Sequence, residues 1–245
     1  MTDMGAFRET VTTWAAGGTG DLARESAAAL SVKTVVLLEG PSDLAAVQAL
    51  AESRGRDLEA EGICVLAMNG AMSVGRFARI LGPTGLDLRL TGLCDEAERG
   101  YYARALEENP PEREQNASKR DQHAVARDQH AVERERNTME RARNAVEGDG
   151  ARRSAFFVCS ADLEDELIRA LGVPRVEELI QAEGDLRALR TFVRQPAQHG
   201  RSPQRQLRRF LGTKKGRKIH YGRVLVEALP PDRVPAPLDA LLADV

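Results

Sequence analysis

Short apolar runs alternate with stretches of helical periodicity along this chain, and the alternation predicts a parallel sheet. Residues 35–38 are four consecutive apolar residues, two of them β-branched, as expected for a strand buried on both faces. Similar runs at residues 62–68, 88–94 and 155–159 are each followed by a helical pattern. Because parallel strands are joined by helical crossovers, we expect an α/β, Rossmann-like fold with a four-stranded, mainly parallel sheet flanked by helices.

The rest of the chain is helical or repetitive, and it suggests a division into three parts. Residues 1–31 form an N-terminal helical segment, residues 32–172 the α/β domain, and residues 173–245 a helical, basic C-terminal extension. A low-complexity insertion with a seven-residue repeat occupies about residues 110–153. Each heptad carries one apolar position where a coiled coil needs two, so the insertion is expected to be a solvated helix or a partly disordered arm.

Composition indicates in which cellular compartment the protein is expected. Of the 245 residues, 42% are hydrophobic and 29% are charged, and no apolar run reaches the length of a membrane span. The N-terminus has no apolar stretch of the signal-peptide kind. The three cysteines include no CxxC pair, which favours buried thiols in a reducing compartment over disulfides or a zinc site. We therefore expect a cytoplasmic protein without membrane contact.

The formal net charge of −2 conceals a strong asymmetry. Residues 187–223 hold twelve of the 35 Lys and Arg residues and none of the 37 Asp and Glu residues, so the remainder of the chain carries a net charge of −14. Such a division favours a phosphate-rich partner, and nucleic acid is the preferred interpretation. The alternative is a basic stretch that packs against the acidic domain.

Acidic residues stand at the ends of three predicted strands. Glu39 ends the first strand, and Asp43 follows four residues later. Asp95 ends the third strand, and Asp162 and Glu164 follow the fourth. The carboxyl ends of parallel strands meet at one edge of the sheet, where carboxylates suit a divalent cation such as Mg²⁺. The alternative is that each acid only stabilises the positive end of a following helix.

Two turns at this edge have their own signals. Gly40 and Pro41 form the turn after the first strand, and Ser42 is the expected N-cap of a helix beginning at Asp43. Gly70, after the second strand, permits either a tight turn or close approach of the backbone to a ligand.

These positions resemble the motifs of the TOPRIM domain, the metal-dependent fold of topoisomerases and primases. The version that they resemble is that of OLD-family (overcoming lysogenization defect) endonucleases, over residues 35–245 with the insertion removed. The Glu39 turn, Gly70 and Asp95 fit the first three motifs of that family. Its Asp-x-Asp pair has Ala97 in the second position here, and Glu98 is the candidate substitute.

The later motifs of the family fall in the second half of the chain. Asp162 and Glu164 look like its later acid cluster, and Lys218 looks like its lysine, with Lys215 as the second candidate. OLD enzymes carry an N-terminal ATPase that this sequence lacks. The resemblance therefore implies a standalone TOPRIM protein, with a separate ATPase as a candidate partner.

The resemblance implies hydrolysis of phosphodiester bonds with one or two Mg²⁺ or Mn²⁺ ions. Glu39, as ligand and general base, and Lys218, as the charge facing the scissile phosphate, are the expected catalytic residues. The expected metal ligands are Glu39, Asp43, Asp95, Glu98, Asp162 and Glu164. Nucleic acid, DNA rather than RNA, is expected to contact the basic side chains of Arg205, Arg208, Arg209, Lys214, Lys215 and Arg217.

Two other functions remain open on the same residues. With Ala97 in the Asp-x-Asp position, the site could support a single ion in a module that binds nucleic acid or a partner without cleaving. A metal-dependent nucleotidyl transferase or nucleotide hydrolase is the other, because one fold hosts many activities.

Overall fold

The computed structural model describes residues 3–107, 145–147 and 155–245. Its strands are β1 (Thr34–Leu38), β2 (Ile63–Ala67), β3 (Arg89–Asp95), β4 (Ala145–Glu147) and β5 (Ala155–Cys159). They form one sheet in the order β2-β1-β3-β5-β4. The pairs β1–β2, β1–β3 and β3–β5 are parallel, and only β4, at the edge, is antiparallel to its neighbour. The prediction of a four-stranded parallel sheet flanked by helices is confirmed.

The edge strand β4 is a feature that the sequence analysis did not predict. It lies inside the stretch treated as an insertion, and it pairs with β5 through Ala145↔Phe157 and Glu147↔Ala155. Three residues without an apolar run are too short to be recognised as a strand, because their pairing is supplied by the backbone of β5. Most of the heptad repeat lies outside the described residues, so its conformation stays a prediction.

The helices cover both faces of the sheet. In the described residues they are α1 (Met4–Ala15), α2 (Asp21–Ala29), α3 (Pro41–Ser53), α4 (Val74–Leu81), α5 (Arg99–Glu107), α6 (Leu163–Leu171), α7 (Val173–Ala182), α8 (Leu186–Val193), α9 (Pro203–Leu211), α10 (Lys215–Glu227) and α11 (Ala236–Asp244). None of these helices combines the length and the apolarity that crossing a membrane requires.

The start of α3 differs from the expectation. The helix begins at Pro41 with Gly40 as its N-cap, whereas Ser42 lies buried in the first turn and is not the cap. The N–H group of Gly40 donates to Oδ2 of Asp43 at 2.9 Å. A side chain inside the helix thus gives the N-cap residue its hydrogen-bond partner. Proline suits this first position because its missing N–H would have no partner there in any case.

Alternation along β1 divides the interior into two apolar clusters. Val35 and Leu37 face a cluster that contains α1, α4 and α5, and Val36 and Leu38 face a second one with α3 and the C-terminal helices. Strand β1 is thus buried on both faces, as the apolar run at residues 35–38 predicted. The division of the chain into three domains stays a prediction.

The last helix is held to the amino ends of the strands by polar contacts. In Asp244, the main-chain oxygen accepts a hydrogen bond from Nη1 of Arg89 at 2.6 Å, and the carboxylate pairs with Nη2 of the same guanidinium. The Thr91 hydroxyl lies 3.0 Å from the second carboxylate oxygen. One carboxylate therefore joins α11 to β3.

Replacing this carboxylate should destabilise the protein. We expect Asp244→Ala to lower the free energy of unfolding by about 1–3 kcal/mol, because the partly buried Arg89 loses a charged partner. Urea denaturation measures the change. Glu178→Ala, which removes an exposed pair with Arg175, is the matched control and should cost about 0.5 kcal/mol or less. Equal, small effects of both substitutions would show that the contact between α11 and β3 contributes little to stability.

Candidate metal centre

The turn after β2 determines where Glu39 lies. The N–H of Met68 donates to the carbonyl of Leu38 at 2.8 Å, and the N–H of Gly70 donates to the carbonyl of Glu39 at 3.0 Å. Gly70 has φ of 128° and ψ of 138°, a conformation that other residues reach only with strain. Gly70 thus serves as a tight turn that supports the backbone of Glu39.

Three carboxylates meet at the carboxyl edge of the sheet. Asp95 ends β3, Glu98 follows at the end of the short 3₁₀ turn Glu96–Glu98, and Glu39 follows the neighbouring strand β1. One oxygen of each of these side chains lies within 4.8 Å of the other two. We call Glu39, Asp95 and Glu98 the acidic triad.

The triad fits a divalent cation. Two oxygens on opposite sides of a Mg²⁺ ion are about 4 Å apart, since each bond is about 2.1 Å long, so small side-chain movements suffice to share one ion. Oε2 of Glu98 is buried and has no hydrogen-bond partner among the described residues. A buried carboxylate oxygen without a partner is the kind of atom that an ion would satisfy. The described acids can therefore hold a metal ion, whose identity the geometry does not specify.

The charges of the triad oppose one another. Burial raises the pKa of Asp95 to about 8, and the carboxylates of Asp162 and Glu39 contribute further. Burial and then the adjacent Glu39 also raise the pKa of Glu98. Collecting these acids in one place is unfavourable as long as no cation balances them.

A second group lies beside the triad and consists of Asp43, Glu164 and Lys218. Nζ of Lys218 is 3.2 Å from Oε1 of Glu164, and Oε2 of that buried carboxylate has no partner among the described residues. Burial, followed by the charge of Glu164, raises the pKa of Asp43 to about 7. Burial lowers the pKa of Lys218, but Glu164 and Asp43 outweigh it and the net shift is upward, so the lysine stays cationic.

Close packing of α10 against α3 brings Lys218 to this group. Gly222 lies one helical turn after Lys218, and a Cβ atom there would be only 2.6 Å from the carbonyl oxygen of Ser42. Glycine thus permits the helix to approach the first turn of α3, which carries Asp43. Helix α10 begins at Lys215, so Lys218 is held on a helix.

The carboxylate of Asp162 contacts groups outside the acidic triad. Its Oδ1 accepts the N–H of Asp165 at 2.8 Å, as the N-cap of α6, and its Oδ2 lies 2.6 Å from Nε of Arg208. It lies close enough to raise the pKa of Asp95, but it is not among the three acids that share the 4.8 Å grouping. A metal-binding role for Asp162 stays a prediction.

The basic segment, residues 187–223, contains cations that pair with acids of the same chain and cations that are exposed. Arg208 pairs with Asp162, and Arg217 pairs with Asp185 at 3.1 Å while its guanidinium lies 4.1 Å from the centroid of the Phe210 ring. Arg223 pairs with Glu52. These contacts are those expected if the segment packs against acidic parts of the chain.

The other expected contacts to nucleic acid are exposed. Arg205, Arg209 and Lys214 are exposed and make no ion pair within the part of the chain that the structure describes. Arg205 and Arg209 are four residues apart on α9, and so they share one helical face. Lys215 begins α10, and its side chain lies outside the described set.

Some residues of the site had no signal in the sequence. Gly222 resembles any glycine in a helical pattern, and Asp185 any acid before a helix. Tyr102 is fully buried beside the triad, and its hydroxyl has no partner among the described residues. Only the packing of helices that are distant in the chain makes these positions distinctive.

Comparison with known proteins shows what this α/β domain is similar to. Residues 32–96 match the family model described as the TOPRIM domain of overcoming lysogenization defect protein-like proteins. The predicted resemblance is thereby confirmed for the stretch that contains Glu39, Gly70 and Asp95.

Solved structures agree over most of the chain. The C-terminal region of the OLD protein of Xanthomonas campestris pv. campestris is 22% identical, with a TM-score of 0.54 over 87% of this chain and 94% of that one. The corresponding region of the Burkholderia pseudomallei OLD protein is 20% identical, with a TM-score of 0.55 over 87% and 96%. At this level of identity the likeness shows the fold. Curated protein sequences contain no match.

The pKa values predict how the stability of the metal-free protein depends on pH. With pKa values of about 7 and about 8, folded Asp43 and Asp95 hold protons that the unfolded chain releases near the ordinary aspartate pKa of 3.8. The folded state therefore binds more protons in this range, and its stability falls as the pH rises from about 4 to 8. Denaturation of chelator-treated protein at several pH values measures the slope.

Substitution of one acid should reduce this slope. Asp95→Asn removes one of the titrating groups, so we expect a shallower dependence and higher stability of the metal-free protein at about pH 8. Glu96→Gln changes an exposed neighbour and is the control, with an unchanged slope. If Asp95→Asn leaves the pH dependence of stability unchanged, the titration of Asp95 does not cause it.

Proposed function

We propose that this protein hydrolyses phosphodiester bonds of DNA in a reaction that depends on a divalent cation. The observation that carries the proposal is the acidic triad, which lies next to a lysine that is paired with a buried carboxylate. The match of residues 32–96 to an OLD-like TOPRIM domain supports a metal-dependent, nucleic-acid-related role. The choice of DNA and of cleavage rests on the resemblance to OLD-family endonucleases.

Glu39, Asp95 and Glu98 would hold the first ion, Mg²⁺ or Mn²⁺, through carboxylate oxygens. Such an ion supplies Lewis-acid stabilisation of the phosphate and a bound water of lowered pKa. Asp43 and Glu164, with their raised pKa values, are the candidate ligands of a second ion, and Asp162 would join them only by giving up a present partner. Glu39 is in addition the candidate general base.

Lys218 would neutralise the negative charge that builds up on the scissile phosphate. Its side chain is 40% exposed, so the ammonium group can contact a substrate while Glu164 holds it in position. Because the acids around it keep it protonated, it acts as a fixed positive charge rather than as a base.

The exposed cations of α9 and the following loop would bind the sugar-phosphate backbone. Arg208 pairs with Asp162 and so holds α9 at the edge of the site, and Arg205 and Arg209 on the same helix would contact a strand bound there. Contacts of this kind give affinity without a choice of sequence, and they weaken with salt. A separate ATPase stays a candidate partner through the family resemblance.

A second candidate function is binding of nucleic acid without cleavage. It is favoured by the position of Asp162, both of whose carboxylate oxygens already have protein partners, and by Ala97 in place of the second acid. With a single ion the site would anchor a phosphate without the paired charge stabilisation of a two-ion centre.

A nucleotide hydrolase or nucleotidyl transferase is the third candidate function. Turnover of free nucleotides but not of DNA would select it.

Nicking of supercoiled plasmid with Mg²⁺ or Mn²⁺ tests the proposal. We expect Glu39→Gln to reduce the rate by about 100-fold or more, because it removes a charged ligand from the triad. Glu96→Gln, at an exposed acid of the same turn, should retain the rate of the unchanged protein. Cleavage that survives Glu39→Gln would remove the proposed centre, and salt-sensitive binding without cleavage under either ion would favour the second candidate.

A separate measurement tests the binding surface. We expect the double substitution Arg205→Ala with Arg209→Ala to weaken DNA binding and to lower the salt slope of log K by about one to two, because two phosphate contacts are lost. Fluorescence anisotropy over a range of salt concentrations measures both quantities. Lys33→Ala is the control, since this exposed lysine precedes β1 at the opposite edge of the sheet. Equal affinities of the double variant and the control would exclude this face of α9.

A further inference from the structure

Two buried polar atoms beside the triad lack hydrogen-bond partners. One is the hydroxyl of Tyr102, a residue that is 0% exposed, and the other is Oε2 of Glu98. Neither has a partner in the described part of the chain. Native structures contain few such atoms, because burying a polar group without a hydrogen-bond partner is energetically unfavourable.

Packing holds Tyr102 where it is. The residue lies on α5, and its ring meets Phe156 of β5 edge-on, with centroids 4.9 Å apart. It follows Glu98 by four residues, a spacing that places two side chains on the same side of a helical turn. The aromatic ring therefore belongs to the apolar interior, and only the hydroxyl needs a polar explanation.

The surroundings of the hydroxyl show its relation to the triad. Burial raises the pKa of Tyr102, and the charges that add to this effect are those of Cys94, Glu98, Glu39 and Asp95. All three members of the acidic triad are thus within electrostatic range of the phenol. A tyrosine hydroxyl can donate to a carboxylate or to a water, and carboxylates that bind metal ions commonly have such outer partners.

We propose that Tyr102 is a positioning residue of the metal centre, whose hydroxyl donates a hydrogen bond to the Glu98 carboxylate, directly or through one water, when a divalent cation is bound. The inference rests on the proposed function, because it needs the triad to bind a cation. It gives the partnerless hydroxyl an acceptor in the loaded protein, and the two oxygens of Glu98, with about four lone-pair sites between them, can serve the ion and the hydroxyl together. Fixing the orientation of Glu98 in this way would raise the affinity of the triad for the ion.

A purely structural role of the hydroxyl is the rival explanation. The thiol of Cys94 also acts on the pKa of the phenol, but a thiol is a weak hydrogen-bonding partner and forms no bond with the hydroxyl in this structure. If the hydroxyl stabilised the fold through this thiol, its removal would lower the melting temperature of the metal-free protein. If it serves the metal centre, its removal leaves the metal-free protein as stable as before or more stable, since a buried group without a partner is lost.

Tyr102→Phe therefore separates the two roles. We expect its binding of Mn²⁺, measured by isothermal titration calorimetry on the full chain, to weaken by about 10–100-fold. We also expect the melting temperature in chelator to be unchanged or raised. Tyr101→Phe is the matched control, because this neighbouring tyrosine is 47% exposed, and it should change neither quantity.

The possible results distinguish this inference from the proposed function. Weaker Mn²⁺ binding by Tyr102→Phe, with full stability in chelator, supports the positioning role. Unchanged Mn²⁺ affinity of Tyr102→Phe, or a lower melting temperature in chelator, overturns that role while the metal centre stands. Absence of Mn²⁺ binding by the unsubstituted protein overturns the metal centre, and the inference falls with it.

Discussion

The partial burial of Glu39, Asp95 and Glu98 in one place is the constraint on which the candidate site depends. Strands β1 and β3 are neighbours in a parallel sheet, so their carboxyl ends bring these acids together whatever their charge. Burial disfavours the charged forms of Asp95 and Glu98 and raises their pKa values, and repulsion from neighbouring carboxylates adds to the effect. The same geometry that destabilises the metal-free protein supplies the attraction for a cation.

The C-terminal helices complete the site from the other side of the chain. Helix α10 approaches the first turn of α3 closely because Gly222 has no side chain there, and Lys218 consequently faces Glu164 and Asp43. A positive charge held by two acids offsets part of the repulsion next to the triad. The packing of two helices thus decides the electrostatics of a site whose first residue lies at the end of β1.

Net charge alone overstates the binding surface of the basic segment. Arg208, Arg217 and Lys218 are paired with acids of the same chain. These ion pairs hold the C-terminal helices against the rest of the protein. The exposed Arg205, Arg209 and Lys214 are among the cations that stay available to a partner. The interpretation that the segment packs against acidic parts of the chain holds for these paired residues, and binding of a nucleic acid stays a proposal for the exposed ones.

The order of strands and helices and the acids at the strand ends followed from local patterns, because apolar runs and turn residues act over a few neighbouring positions. The sequence by itself thus determined the parallel sheet and the edge at which Glu39 and Asp95 stand. It did not separate Glu98, which joins the triad, from Asp162, which caps a helix and pairs with Arg208. Only the tertiary structure decided this, because the partners of a carboxylate depend on the direction of its side chain and on helices packed from distant parts of the chain.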